Sequence, residues 1–269
     1  MSTLAPRFLF ASAALTAAVS CSLVIDSWQE KSTRTDSLEH PAGSANSLRI
    51  DGFNGDIVVT SAPAIRSLTG DARLYARGAS KESADARLAE MAWSWSQDGS
   101  TLVLTLSKPS GGSNNAGSSL DNLLVPAGWN VDINSSNGSV SVGAGFERVL
   151  VHSSNGNIEA TGDGQVRLRS SNGRIRYSGA SQDFNLRSSN GGVDLHLQGD
   201  WSGNGYVDTS NGSITVRCDG TLAAALETDT SNGKTKVYGP TPTPHASGGG
   251  GLLRLDTSNG NISITHAEN

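Results

Sequence analysis

The tripeptide Ser-Asn-Gly recurs seven times, centred on Asn137, Asn155, Asn172, Asn190, Asn211, Asn232 and Asn259. Successive Asn positions are 18, 17, 18, 21, 21 and 27 residues apart, and Phe53-Asn54-Gly55 is a weaker relative upstream. A period of roughly 20 residues marks a stacked array rather than one globular core. A unit this short cannot bury its own apolar face and must bury it against its neighbours.

Fixed offsets from the Asn carry the apolar residues. Four before it stand Ile133, Val151, Leu168, Leu186, Val207, Thr228 and Leu255. Three after it come Val140, Ile158, Ile175, Val193, Ile214, Thr235 and Ile262, and five after it Val142, Ala160, Tyr177, Leu195, Val216, Val237 and Ile264. Alternation with polar neighbours makes each flank a half-buried strand, because successive strand side chains point to opposite faces. The copy with Thr228 and Thr235 is the least apolar and is the expected weak point.

Two architectures satisfy this pattern. Asn-Gly between alternating strands is a strong hairpin signal, which would give an antiparallel meander. In that register Arg187 faces Asp194 favourably, but Arg169 faces Arg176. Alternatively each repeat is one coil of a β-solenoid, whose strands pair with their equivalents above and below at ~4.8 Å so that like residues stack. Composition favours the solenoid. The column two before Asn (Ser135, Ser153, Ser170, Ser188, Thr209, Thr230, Thr257) has inward parity, and small hydroxyls suit a corner. Asn tolerates φ > 0 and can ladder through its amide, while Gly permits a sharp bend. A meander of this length would be a very wide sheet with two long edges to protect. The expected fold is all-β: a single-stranded β-helix (β-solenoid) with coils of about 18–21 residues and one short helix in the N-terminal part. Its fold-determining turns are Asn137-Gly138, Asn155-Gly156, Asn172-Gly173, Asn190-Gly191, Asn211-Gly212, Asn232-Gly233 and Asn259-Gly260.

Upstream of the repeat, Arg7 precedes an apolar run from Phe8 to Val19 and then Ser20-Cys21. That run is too short to span a bilayer as a helix and reads as a signal peptide of lipoprotein type over residues 1–20. Cys21 is then the lipidation site, and two or more acyl chains anchor stably. Without acylation the product is a soluble secreted protein. Residues 21–45 are read as a tether or edge strand, and residues 46–269 as the solenoid domain. Within it, Ser47–Ile50 and Asp56–Thr60 form a strand-turn-strand unit, and residues 81–92 form the helix, with Ser80 as its N-cap. The low-complexity segments 108–120 and 240–251 are expected to be mobile loops. Trp93 and Trp95 are expected to cover the open end of the core beneath the helix.

Chemistry is sparse. No His-Glu-x-x-His, Gly-x-Ser-x-Gly or zinc-spaced Cys/His cluster occurs, so neither a catalytic centre, a metal nor a cofactor is expected. Cys218 reads as a small buried hydrophobe, and His40, His152, His196, His245 and His266 as surface residues. A net charge of −5 gives no nucleic-acid footprint. Arg169, Arg174, Arg176 and Arg187 form a candidate face for an anionic polymer. Asp194, Arg187 and Arg176 are the set from which a β-helix polysaccharide-active enzyme could be built.

The segment Leu48-Arg-Ile-Asp-Gly-Phe-Asn-Gly-Asp-Ile-Val-Val59, Leu124-Val-Pro126 entering Val131-Asp-Ile133, and the Asn-Gly copies with an apolar residue three after Asn resemble the bacterial putative-adhesin family. That family consists of exported Gly-rich β-solenoid proteins, largely of unknown function, and the resemblance covers residues 45–269. It implies a single-stranded β-helix at the cell surface or envelope, with no agreed catalytic or ligand residues. The expected function is a non-enzymatic exported lipoprotein, an adhesin or envelope scaffold anchored in the outer membrane or at the cell surface. Its partners would be the membrane, through the lipid, and an envelope protein. The alternative is a binding module for anionic surface polysaccharide.

Overall fold

The computed structural model describes residues 30–112, 114–239 and 251–266. The signal peptide expected over 1–20, Cys21, and residues 240–250 lie outside them. The chain opens with β1 (Glu30–Pro41), β2 (Ser47–Asp51), β3 (Ile57–Ala62), β4 (Ser67–Gly78), helix α1 (Lys81–Ala89), β5 (Trp93–Asp98), β6 (Thr101–Leu106) and β7 (Ala116–Pro126). Strands then come in pairs, one on each side of a Ser-Asn-Gly copy. The pairs are β8 (Asn130–Ser135) with β9 (Val140–Val142), β10 (Arg148–Ser153) with β11 (Ile158–Thr161), and β12 (Gln165–Ser170) with β13 (Ile175–Gly179). They continue as β14 (Asp183–Ser188) with β15 (Val193–Leu197), β16 (Asn204–Thr209) with β17 (Ile214–Cys218), β18 (Ala224–Thr230) with β19 (Thr235–Tyr238), and β20 (Gly251–Thr257) with β21 (Ile262–His266).

Members of a pair do not bond to each other. The strand before each Asn joins a ten-stranded sheet of order β18-β20-β16-β14-β12-β10-β8-β2-β6-β5. The strand after it joins an eleven-stranded sheet of order β1-β4-β7-β3-β9-β11-β13-β15-β17-β21-β19. Through the repeat the pairing is parallel and joins equivalent positions, Ile133 beside Val151, Val151 beside Leu168 and Leu168 beside Leu186. The Asn-Gly copies therefore make no hairpins, and β2 and β3 likewise lie in different sheets. Antiparallel pairing is confined to β1–β4, β4–β7 and β5–β6. The result is an all-β fold of two mixed sheets with one short helix, and neither sheet closes into a barrel.

The inward columns of both sheets form one continuous core. Ile133, Val151, Leu168, Leu186, Val207 and Leu255 are all essentially inaccessible. Each such side chain contributes about 1.5–3 kcal/mol of burial. Phe184 packs between Tyr177 and Trp201 at ring-centroid distances of 5.9 and 5.5 Å, an aromatic cluster within the core.

At both ends the spatial order departs from the sequence order. The pair β2/β3 lies between β6/β7 and β8/β9, and the last pair, β20/β21, lies between β16/β17 and β18/β19. The copy carrying Thr228 and Thr235 is thus outermost, and polar residues at its core positions fit a coil with a neighbour on one side only. Val237 and Tyr238 there are 41% and 52% exposed. At the opposite end β5 is the edge, with Trp93 and Trp95 packed on the core. Trp93 Nε1 donates to Ser118 Oγ at 2.9 Å, and the ring of Trp95 lies 5.0 Å from that of His40.

Two expectations of the N-terminal part are corrected. The helix ends at Ala89 rather than residue 92: Glu90 is its C-cap, and the Met91 amide bonds back to Leu88 as the buried Met91 turns the chain into β5. Residues 116–120 are not loop but the start of β7. Their small side chains answer close packing, since a β-carbon on Gly117 would lie 1.7 Å from the Asn54 carbonyl oxygen. The segment before them is tied down as well, because Arg87 donates to the carbonyls of Ser110, Gly112 and Asn114.

Candidate functional site

The Ser-Asn-Gly residues build the ridge where the chain crosses between sheets. Their amides form one continuous line. Asn155 donates to Asn137 at 2.6 Å, Asn172 to Asn155 at 2.6 Å and Asn190 to Asn172 at 2.7 Å. Asn211 donates to Asn190 at 2.9 Å, Asn259 to Asn211 at 2.9 Å and Asn232 to Asn259 at 2.7 Å, while Asn137 extends the line to Asn54. The buried hydroxyls run parallel to it. Ser170 donates to the Gly156 carbonyl at 3.1 Å and accepts the Gly173 amide at 2.8 Å, and Ser188 and Thr209 repeat the arrangement. Backbone conformation is not what selects these residues. Of the upstream relative and the seven copies only Asn54 and Gly138 have positive φ. Asn is needed because its amide both donates and accepts. Gly is needed because the backbone of the adjacent coil leaves no room for a β-carbon, which at Gly156 would stand 1.7 Å from the Gly138 carbonyl oxygen.

Function must therefore lie on the outer faces, and the four candidate arginines do not share one. Arg169 and Arg187 precede their Asn and lie side by side on β12 and β14 of the ten-stranded sheet. Arg174 and Arg176 follow theirs, Arg176 on β13 of the eleven-stranded sheet and Arg174 just before that strand, and both approach Asp194, at 3.7 and 3.6 Å. The trio of Asp194, Arg187 and Arg176 is accordingly split, and no single cleft gathers it.

On the ten-stranded face, Arg169 and Arg187 belong to a larger cationic band. Parallel register stacks His152, Arg169 and Arg187 in one column. The next column runs Leu150, Arg167, Asn185 and Tyr206, and Arg148 completes the band on β10. Arg167 forms a bidentate pair with Asp183 at 2.7 and 2.8 Å. Arg187 stacks over the Tyr206 ring at 4.8 Å and donates to Asn185. Among the described residues no carboxylate lies within ion-pair distance of Arg148, Arg169 or Arg187. A shallow groove of about 480 Å3 runs over Leu150, His152, Arg167, Arg169 and Arg187. Carboxylates border the band. Burial raises the Asp132 carboxyl above its ordinary range on one side. On the other, burial and the charge of Asp256 raise Asp208 against the lowering effect of Arg187.

The eleven-stranded face carries a chain that sequence reading missed. Ser178 Oγ lies 3.2 Å from His196 Nδ1, and His196 Nε2 lies 2.7 Å from Asp219 Oδ2. A carboxylate only accepts, so Nε2 donates to Asp219, and the contact of Nδ1 with Ser178 Oγ completes the chain. The order matches a nucleophile, a base and its orienting acid. Ser178 and His196, however, sit in paired strands whose amides belong to the sheet ladder, and Gln198 donates to the serine oxygen at 3.1 Å. The three side chains link β13, β15 and the turn that follows β17. The detectable signal was its spacing, 18 residues from Ser178 to His196, one repeat.

Other singled-out residues are structural. Cys218 is buried, and burial pushes its thiol up. His266 is buried rather than on the surface, and His245 lies outside the described residues. Among the described residues no three His, Cys, Asp or Glu side chains gather as a metal site, and no helix is long and apolar enough to cross a membrane.

No family model matches the chain, and no curated protein does. Among solved structures it is similar to a putative cell adhesion protein from Clostridium sporogenes, at 12% identity over 88% of this chain and 100% of that one, with a TM-score of 0.39. It is also similar to a putative adhesin from Bacteroides fragilis, at 14% identity over 87% of this chain and 97% of that one, with a TM-score of 0.43. A third similarity is to a putative adhesin from Parabacteroides merdae, at 10% identity over 87% and 96% of the two chains, with a TM-score of 0.28.

Proposed function

We propose that this protein is an exported, lipid-anchored β-solenoid that presents rigid outer faces at the cell envelope, as an adhesin or as a scaffold for other envelope components, without catalysing a reaction. The observation that carries the reading is the unbroken line of Asn amides through all seven copies, beside a parallel line of buried hydroxyls. Coils cross-linked in this way resist bending and hold the variable outward residues at fixed spacing, which suits a surface meant to be recognised. The segment from Arg7 to Cys21 supports export and acylation.

Mass spectrometry of the mature N-terminus, paired with membrane fractionation of wild type and Cys21→Ala, tests it. The expected result is a diacyl- or triacyl-modified Cys21 and a wild type that sediments with membranes while the variant does not. An unmodified, freely soluble wild type overturns the anchor.

A further inference from the structure

The cationic band on the ten-stranded sheet sets Arg169 directly beside Arg187, and among the described residues neither lies within ion-pair distance of a carboxylate. His152, Arg169 and Arg187 occupy the same register position on three adjacent strands, about 4.8 Å apart. Like charges directly opposite one another destabilise a sheet. On the other face Arg174 and Arg176, two residues apart in sequence, share Asp194, which stands beside Arg176 in register. Here, among the described residues, no carboxylate comes within ion-pair distance of Arg148, Arg169 or Arg187; Asp208, the register neighbour of Arg187, and Asp132, near Arg148, act on the band only from further away. The side chains that lie between the cations are Leu150, Asn185 and Tyr206, half-buried and offering apolar and amide surface.

We infer that this band is a binding site for a linear glycan carrying a carboxylate or sulfate on successive sugars. The chain lies across β10, β12 and β14, so that each anionic group meets one strand's cation while the sugar rings rest on Leu150 and the free part of the Tyr206 ring. One pyranose advances a glycan by roughly one strand spacing, so about three sugars fill the band. Asp132 on one side and Asp208 and Asp256 on the other limit its length by repulsion, which disfavours a long uniform polyanion such as nucleic acid. The flat geometry and half-exposed aromatic suit a sugar, because a stacked ring needs a face rather than a deep pocket. The site does not depend on acylation of Cys21, and its failure is separable from failure of the anchor.

The experiment uses the full-length chain and immobilised polygalacturonate, dextran sulfate, fully methyl-esterified polygalacturonate, polyphosphate and a single-stranded RNA oligonucleotide. Binding to polygalacturonate or dextran sulfate is expected, and the stronger of the two identifies the anionic group. Binding weakens as salt rises and is lost on esterification, which removes charge and keeps the sugar. Arg169→Glu with Arg187→Glu lowers the affinity about tenfold or more by turning two attractions into repulsions, whereas Arg174→Glu with Arg176→Glu leaves it within about twofold. If the glutamate pair fails to fold by circular dichroism, Arg169→Gln with Arg187→Gln is measured instead, with a smaller loss in the same direction. Absence of binding to both anionic glycans at low salt overturns the proposal. So does equal binding by the Arg169/Arg187 variants, or RNA or polyphosphate bound as tightly as the glycans.

Discussion

Gly173 lies so close to Gly156 that a β-carbon on it would stand 1.9 Å from the Gly156 carbonyl oxygen. No side chain can move aside to relieve that contact, because the obstruction is backbone. Gly173→Ala is therefore expected to destabilise the fold by roughly 1–3 kcal/mol. The exposed neighbour Ser171→Ala should stay within about 0.5 kcal/mol of wild type. Urea unfolding midpoints compare them, and equal midpoints would show that the coils can separate freely.

The amide line predicts a positional gradient. Asn172 donates to Asn155 and accepts from Asn190, whereas Asn232 donates to Asn259 at the end of the line. At about 1 kcal/mol per bond, Asn172→Ala should cost about twice what Asn232→Ala costs. Thermal melts of the two variants check the ratio.

Asp208 gives a pH signature. Its carboxyl is raised by burial first, then by Asp256, with Arg187 opposing. The folded state thus binds more protons than the unfolded state between the ordinary value of 3.8 and the raised one, and the ionised group disfavours folding above that window. Asp208→Asn should raise the melting temperature at pH about 7, with the gain shrinking as pH falls through the window and absent below it. A gain that grew on acidification would contradict the assignment.

Hydrogen exchange should invert sequence order at the C-terminal end. Amides of β20 and β21, flanked on both sides, are expected to exchange more slowly than those of β18 and β19, which end their sheets. Peptide-resolved exchange mass spectrometry reads this directly, and faster exchange in β20 would argue for stacking in sequence order.

Much of this architecture is legible in the sequence because strands alternate strictly. The offsets that place Val151, Leu168 and Leu186 inside require only side-chain parity. Which coil lies beside which is not legible, because the copies are nearly interchangeable and any order satisfies the same columns. The separation of the arginines was within reach. Residues before and after a chain crossing fall on different strands, so Arg169 and Arg174 could share a face only in a hairpin. Arg148 and Arg167 escaped notice because they stand at other offsets from Asn: Arg167 shares a face with Arg169 by strand parity, and Arg148 joins that face only through the pairing of β10 with β12. The glycines were ascribed to a bend, whereas the cause is proximity of a neighbouring backbone that one coil's sequence does not reveal.

The enclosure of the last strand pair between two earlier ones has a consequence for how the molecule is made. Translation delivers β18 and β19 before β20 and β21, the pair that will separate them from β16 and β17. The C-terminal end therefore cannot grow by laying each new coil on the previous one. β18 and β19 must wait, or give way, until β20 and β21 have left the ribosome. A chain cut short before Gly251 lacks the pair through which β18 and β19 are joined to β16 and β17 in the finished order. In the finished protein, β2/β3 and β20/β21 are each clamped by strands from further inside the sequence, β6/β7 and β18/β19, and neither can peel away first.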